Sequence, residues 1–232
     1  MTAQKFYIVI FFRLSKKVLI QLDKDEIWFP DPKTYADQDK GLLACGGDLS
    51  VGRLVLAYSY GIFPWYPVKR EKEILWWCPQ QRFVIFPEEI HISHSMRNLF
   101  NKGLYGFSFD TDFDSVIENC SKLRDSNYAW LAGEMIPAYK ELFKKGYAHS
   151  VEVKNLTTGK LCGGLYGVMI NRVFAGESMF SLEKSASKIA LIGLSQCLKG
   201  KNCLIDCQFE TPHLKSMGGK FISYDEYMKF QE

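Results

Sequence analysis

The sequence predicts an α+β protein with a small N-terminal α+β domain over residues 1–80 and a larger domain over residues 81–232. Its 232 residues are 47% hydrophobic and 15% aromatic, enough to bury a substantial core. Residues 30–80 are rich in Gly, Pro and Trp, which is typical of short elements joined by tight turns. From residue 148 the apolar pattern changes to period two, which predicts a mixed, mostly antiparallel sheet.

Composition and charge exclude several classes of protein. A net charge of +3 is too small for a general nucleic-acid coat, although it permits a local basic patch. The seven cysteines are odd in number and lack paired CxxC spacing, so we expect reduced thiols, a cytoplasmic location and no metal site. The apolar run at residues 6–12 is too short to span a bilayer, and we expect it to form a strand in a protein without a membrane partner.

The first two thirds of the chain contain four predicted helices. One runs from Val51 to Tyr60, with Ser50 as its N-cap and Gly61 beyond its end. Two amphipathic patterns, "HISHSMRNLFNKG" and "TDFDSVIENCSKLR", predict the next two helices. The stretch "GEMIPAYKELFKKG" predicts the fourth.

The last third predicts most of the sheet. The stretches "AHSVEV", "TTGKLCGGLYGVMI" and "RVFAGESMF" alternate as strands and form an antiparallel meander. A helix over "SASKIALIGLSQCLKG", a buried strand "CLIDCQF", a short helix opened by Thr211 and Pro212, and a strand "FISY" follow. This order matches the second half of a GNAT-like acyltransferase domain, an analogy of topology alone.

Polar side chains interrupt two of these strands. Glu177 lies within the apolar run "VFAGESMF", and Asp206 and Gln208 are two residues apart in "LIDCQF", so we expect their side chains to leave the same face of that strand. A right-handed crossover places the two strands side by side and parallel. We therefore expect the three side chains to converge on one solvated cleft; the alternative is a buried network that fixes the sheet register.

A set of motifs resembles the leucyl/phenylalanyl-tRNA–protein transferase family. In the family's order, and over residues 29 to about 220, they are "GLLACGGDLS", "YSYGIFPWY", "ILWWCPQQR", "HISHSMR", "AHSVEV", "GGLYGV", "FAGESMFS", "SASK" and "LIDCQ". The resemblance implies an enzyme that moves leucine or phenylalanine, with methionine as a further candidate, from its tRNA to a protein beginning with arginine or lysine. The product is marked for degradation by an N-degron pathway, and no cofactor is needed.

Two departures from the family's pattern concern the shape of the substrate pocket. The chain has "NYAW" where the family usually has Gly-Thr-Trp, so only Trp130 is kept. Leu165 takes a position that is often methionine. The type of reaction is untouched by either change.

The implied reaction is aminolysis of an activated ester, in which an amine attacks the ester carbonyl. We expect Gln208 to accept a hydrogen bond from the amine while Asp206 orients and polarises the amide. Glu177 would hold the cationic acceptor or brace the other two. A ribose hydroxyl of the tRNA is the alternative proton carrier, leaving both side chains to position the substrate.

The same resemblance suggests binding residues. Leu165, Phe174 and Met179 are candidates for the aminoacyl pocket, although strict alternation puts Phe174 and Met179 on opposite faces unless a bulge intervenes. Trp65 and Trp130 are candidates to stack on the terminal adenosine of the tRNA. Trp76 and Trp77 cannot share a face, so we expect one of them in the core.

We expect the protein to act as a monomer. Binding of the tRNA acceptor stem requires cationic side chains that neutralise its phosphates. The candidate phosphate contacts are Lys69, Arg70, Lys72, Arg82 and Arg97. His91 and His94 have a spacing found in metal sites but lack a third ligand, so we expect capping or surface roles for them.

Two other functions compete with this interpretation. Topology alone suggests an acetyl-CoA-dependent N-acetyltransferase, but "SLEKSASK" lacks the glycines that cradle a pyrophosphate in that class. A non-catalytic module that binds tRNA ends or peptides would not need the Asp206–Gln208 pair.

Overall fold

The computed structural model describes residues 19–37, 40–65, 73–122 and 133–232. The chain divides into two compact units, Met1–Gln80 and Gln81–Glu232. Several residues of interest lie outside the described part: the strand expected at residues 6–12, Lys69, Arg70, Lys72 and Trp130.

The first unit contains a four-stranded sheet in the order β1-β2-β4-β3, with β1 parallel to β2 and the other pairs antiparallel. Its described elements are β1 (Ile20–Leu22), α1 (Pro32–Tyr35), β2 (Leu42–Gly46), α2 (Val51–Ser59), β3 (Phe63–Trp65) and β4 (Leu75–Trp77). The start of α2 is as predicted, because the Ser50 side chain accepts a hydrogen bond from the Arg53 amide.

The second unit contains a seven-stranded sheet in the order β11-β5-β10-β9-β8-β7-β6. Its strands are β5 (Gln81–Ile85), β6 (Tyr105–Phe109), β7 (Ala148–Asn155), β8 (Leu161–Ile170), β9 (Val173–Ser181), β10 (Leu204–Asp206) and β11 (Lys220–Ser223). The predicted mixed α+β class and the β7-β8-β9 meander are confirmed. Two strands that the sequence analysis did not identify, β5 and β6, extend the sheet.

Six α-helices accompany the strands in the described part of the second unit. They are α3 (His94–Asn101), α4 (Phe113–Lys122), α5 (Met135–Lys144), α6 (Ala186–Leu198), α7 (Pro212–Ser216) and α8 (Tyr224–Met228). A 3₁₀ turn, Pro87–Glu89, follows β5. Within the described ranges, no helix is both long enough and apolar enough to cross a membrane.

Two neighbours in β8 show which helices cover each face of the large sheet. Leu165 packs in the apolar cluster that contains the buried side of α6. The next residue, Tyr166, faces the other way, with its ring 5.8 Å from that of Phe113 on α4 and 5.4 Å from that of Tyr139 on α5. One face is therefore covered by α6, and the opposite face by α4 and α5.

The pairing of β8 with β9 contains a bulge at Glu177. Tyr166 lies opposite Ser178 and Gly167 opposite Gly176, which leaves Glu177 as the extra residue of β9. Strict alternation through this stretch is therefore wrong, because the extra residue resets the side-chain pattern. As a result, the side chains before and after the bulge pack in the same cluster with α6.

Candidate active site

The site begins where β10 lies beside β9. The two strands are parallel, with Ile205 opposite Phe174 and Asp206 opposite Ala175. The expected parallel neighbourhood of the two polar strands is thus confirmed. It places the end of β10 next to the bulge at Glu177.

Gln208 does not continue the strand. β10 ends at Asp206, and Gln208 adopts a left-handed backbone conformation with φ of 64°. Its backbone N–H donates to Asp206 Oδ1 at 2.8 Å. The expectation that Asp206 and Gln208 leave one strand face is therefore wrong, because the chain turns after Asp206 and redirects the Gln208 side chain.

The turn directs the carboxamide of Gln208 to Glu177. Gln208 Nε2 donates to Glu177 Oε1 at 3.0 Å, and the Tyr139 hydroxyl donates to Glu177 Oε2 at 2.9 Å. The amide nitrogen of Gln208 therefore faces Glu177, and its carbonyl oxygen is turned away. The contact that orients this carboxamide thus comes from Glu177, whereas Asp206 contacts the backbone of Gln208.

Arg82 is the ion-pair partner of Asp206. Its Nη2 lies 2.5 Å from Asp206 Oδ2 and its Nε lies 3.3 Å from Oδ1, with the two side chains 1% and 0% exposed. The expectation that Arg82 meets tRNA phosphates is wrong, because β5 pairs with β10 and buries this side chain. Asp206 likewise does not open into a solvated cleft. The ring of Tyr227 covers the guanidinium, with its centroid 4.8 Å from Cζ.

The structure brings the three candidate pocket residues together on the α6 side of the sheet. Leu165 lies opposite Met179 in the register, and both pack in one cluster with Phe174. Leu165 and Phe174 are 3% and 2% exposed, so only Met179 keeps appreciable free surface. Glu177 reaches Tyr139 on the opposite face.

The tryptophans of the first unit divide as expected. Trp76 is fully buried and donates from Nε1 to the Gly46 carbonyl at 2.9 Å, so it is the core member of its pair. Trp65 is 38% exposed, and its ring meets that of Trp77 edge-on at 6.0 Å.

Neither a metal nor a thiol nucleophile is suggested by the described part of the chain. No group of three or more His, Cys, Asp or Glu residues there could hold a metal ion. Burial and the neighbouring charge of Asp206 raise the pKa of the Cys207 thiol, so it is protonated at neutral pH and a poor nucleophile. Arg97 is exposed, and His94 lies 3.3 Å from Asn98 on the same helix.

Sequence reasoning missed the roles of Arg82 and Tyr139, although each left a signal. In "QRFVI" a lone arginine directly precedes three consecutive apolar residues, and a buried cation needs an anionic partner. Tyr139 lies on the apolar stripe of a predicted helix, between Met135 and Leu142, and a buried tyrosine hydroxyl needs an acceptor.

The comparisons with known proteins agree with the resemblance in the sequence. The family model described as leucyl/phenylalanyl-tRNA protein transferase matches residues 84–232, and the model of its N-terminal domain matches residues 47–80. A leucyl/phenylalanyl-tRNA–protein transferase of Pseudomonas entomophila (strain L48) is 46% identical over 212 residues, covering 90% of this chain and 92% of the relative.

A second relative with the same name, from Thermodesulfovibrio yellowstonii, is 50% identical over 197 residues, covering 84% of this chain and 78% of the relative. Among solved structures, a conserved protein of unknown function from Bacteroides thetaiotaomicron aligns with a TM-score of 0.43 at 10% identity, over 59% of this chain and 53% of that one. On the evidence of both family models and these relatives, the chain belongs to the leucyl/phenylalanyl-tRNA protein transferase family.

Proposed function

We propose that this protein transfers leucine or phenylalanine, with methionine as a further candidate, from aminoacyl-tRNA to the α-amino group of a protein that begins with arginine or lysine. The acceptor is thereby marked for degradation by an N-degron pathway. Membership of the family makes the protein an aminoacyltransferase. The observation that carries the proposal is the fixed carboxamide of Gln208, held by Glu177 through its side chain and by Asp206 through its backbone.

In this proposal Gln208 aligns the attacking amine. An α-amino group has a pKa of about 7.7–8.0, so a neighbouring carboxylate would hold it in the unreactive cationic form. The carbonyl oxygen of Gln208 is uncharged and accepts a hydrogen bond from the neutral amine. The C–N bond then forms, the ester C–O bond breaks, and the amine proton passes to the departing ribose oxygen, either directly or through the neighbouring ribose hydroxyl.

Glu177 and Asp206 act on Gln208 from two sides. Glu177 accepts from the amide nitrogen and is itself fixed by Tyr139. Asp206 accepts from the backbone N–H and is held by Arg82. A preorganised acceptor of this kind contributes roughly 10²- to 10⁴-fold to the rate.

The substrate contacts remain part of the proposal. Met179 would be the accessible part of the apolar wall that receives the aminoacyl side chain, with buried Leu165 and Phe174 packed behind it. In such a wall one methylene changes selectivity about 10- to 200-fold. Trp65, whose ring has free surface, and Trp130 would stack on the terminal adenosine. Arg97, exposed on α3, would meet the acceptor stem.

The fold of the second unit supports the proposal at a coarser level. The meander β7-β8-β9, followed by α6 and the parallel strand β10, has the order expected for a GNAT-like catalytic domain. We propose residues 81–232 as this domain and residues 1–80 as a small N-terminal domain. The protein would act as a cytoplasmic monomer without a cofactor.

The test is a transfer assay with tRNA charged with labelled leucine and two peptides that differ only in an N-terminal arginine or alanine. We expect label on the arginine peptide alone, and no acetylation when acetyl-CoA replaces the charged tRNA. Binding of charged tRNA without transfer would favour a non-catalytic module. Acetyl transfer would favour an N-acetyltransferase.

A pair of variants assigns the chemistry to Gln208. Gln208→Ala should lower kcat roughly 10²- to 10⁴-fold, the contribution expected of a positioned proton acceptor. Gln196→Ala removes the same group from an exposed position of α6 and should leave kcat unchanged. Equal activity of the two variants would remove Gln208 from the mechanism.

A further inference from the structure

Arg82 lies between the two ranges that the family models match, in the interval 81–83. Its guanidinium donates to both oxygens of Asp206, from Nε at 3.3 Å and from Nη2 at 2.5 Å. A two-point contact of this kind fixes the rotation of a carboxylate as well as its position. The pair is fully buried, and Tyr227 covers the guanidinium.

The carboxylate of Asp206 also holds the backbone of Gln208 through a hydrogen bond. Asp206 Oδ1 accepts from Arg82 Nε and from the Gln208 backbone N–H, which lies 2.8 Å away. The φ of 64° at Gln208 is one that residues other than glycine rarely adopt, so the surrounding structure must hold it. Two residues in series thus fix this turn: Arg82 holds Asp206, and Asp206 holds Gln208.

We propose that Arg82 is a positioning residue for aminoacyl transfer, acting through Asp206 on the backbone of Gln208. The inference rests on the proposed function, because it assumes that the carboxamide of Gln208 meets the attacking amine. The guanidinium itself does not touch substrate. A lysine in its place keeps the positive charge but loses the planar two-point contact.

The first test is Arg82→Lys in the full chain. We expect kcat for leucine transfer to fall roughly 10²-fold, the loss that a misplacement of about 1 Å produces. The KM for charged tRNA should stay within about threefold, since an interaction used only in the transition state lowers kcat alone. Wild-type kcat in a folded Arg82→Lys protein would overturn the proposal.

Arg172→Lys is the matched control, at the turn between β8 and β9. The Arg172 guanidinium stacks on Phe230, 5.5 Å from its ring centroid, and donates to the Lys229 carbonyl. Arg172→Lys also removes a guanidinium, but the contacts of Arg172 are with Phe230 and Lys229 and not with Asp206. We expect its kcat to match the wild type, and a loss equal to that of Arg82→Lys would show a general effect on the fold.

A double variant tests whether Arg82 acts through Asp206 or independently of it. If Arg82 works only through that carboxylate, then Arg82→Lys combined with Asp206→Asn should have the kcat of Asp206→Asn alone. If the fold-losses in kcat of the two single variants multiply in the double variant, Arg82 does not act only through Asp206 and the proposal is overturned.

Hydrogen exchange gives a readout that does not depend on activity. In Arg82→Lys the Gln208 amide, bonded to Asp206, should exchange faster, while the Leu204 amide, bonded to the Arg172 carbonyl, should keep its protection. An unchanged Gln208 amide, or equal acceleration at both sites, would overturn the proposal. Failure of the wild type to transfer leucine would instead refute the proposed function and leave this measurement intact.

Discussion

Two carboxylates in the seven-stranded sheet are completely buried, and they are stabilised in different ways. Asp206 on β10 pairs with the guanidinium of Arg82. Glu152 on β7 accepts from the hydroxyls of Ser108, Ser150 and Thr111 at 2.9, 2.6 and 2.8 Å, and from the Thr111 amide at 3.3 Å. Within the described ranges, no lysine or arginine pairs with Glu152.

The difference shows two ways to offset the loss of water around a buried acid. A guanidinium supplies a full countercharge, but each partner then becomes an uncompensated buried ion if the other is removed. Hydroxyl donors supply dipoles that can rotate, so a change at one of them is shared among the others. The Arg82–Asp206 pair, next to the proposed chemistry, is therefore the more rigid of the two arrangements and the more sensitive to loss of one partner.

The largest expected effect comes from Asp206→Asn, which leaves the Arg82 guanidinium buried without a counterion. We expect the free energy of unfolding to fall by about 3–5 kcal/mol. Urea denaturation, followed by fluorescence, measures the change. A loss below about 1 kcal/mol would be no larger than that of an exposed ion pair, and the proposed difference between Asp206 and Glu152 would then be wrong.

A smaller effect is expected at the bulge that lies between the two carboxylates. In Gly167→Ala the new Cβ would lie 2.2 Å from the Ala175 carbonyl oxygen and 2.5 Å from the Phe174 ring. Such overpacking costs roughly 1–3 kcal/mol and should displace Glu177. Differential scanning calorimetry measures the loss as a lower Tm.

The control for that variant is the glycine directly opposite in the register. A Cβ on Gly176 lies 3.4 Å from the Asp206 carbonyl oxygen, an ordinary contact. Gly176→Ala should therefore shift the Tm much less than Gly167→Ala. Equal shifts would mean that glycine is needed on both strands for backbone reasons rather than for space.

The hydroxyl donors around Glu152 should tolerate an amide in place of its carboxylate. In Glu152→Gln one oxygen can still accept from Ser108 and Thr111, while the new NH₂ donates to the Ser150 hydroxyl, which reverses its role. We expect a loss of about 0.5–1.5 kcal/mol in the free energy of unfolding. A loss as large as that of Asp206→Asn in the same urea titration would contradict the distinction between the two arrangements.

The smallest expected effect is a pH dependence from half-buried His213 on α7. Burial and the charge of Lys188 lower its pKa from 6.5, so folding favours the neutral imidazole. The unfolded chain then binds more protons below about pH 6.5, and stability decreases as the pH falls through this range. His213→Gln should flatten the pH profile of the Tm below pH 6.5, and an unchanged slope would assign the loss to other groups.

Much of the second unit was predictable because its signals are local. The meander follows from period two, and the parallel pairing of β9 with β10 follows from a crossover helix and the handedness rule. Parity alone predicted that one of Trp76 and Trp77 lies in the core, and Trp76 is that residue. The same topology brings the end of β10 next to Glu177, where the Gln208 side chain meets it, but the Asp206 side chain turns to Arg82 instead of sharing a cleft with them.

The errors occur where one residue breaks a periodic rule. The bulge at Glu177 cannot be read from "FAGESMF", because it depends on the space that Gly167 leaves on the neighbouring strand. The left-handed turn at Gln208 depends on a hydrogen bond from its backbone to Asp206. The pairing of Arg82 joins residues 124 positions apart, a distance over which no periodicity gives information.

The same long separation has a consequence for how the protein is made. Arg82 is on the first strand of its sheet to leave the ribosome, whereas Asp206, which neutralises it, follows 124 residues later, and Tyr227, which covers it, later still. During most of synthesis this cation has neither its anion nor its aromatic cover. The turn that carries Gln208 can therefore be held by these contacts only after both Asp206 and Tyr227 have been synthesised.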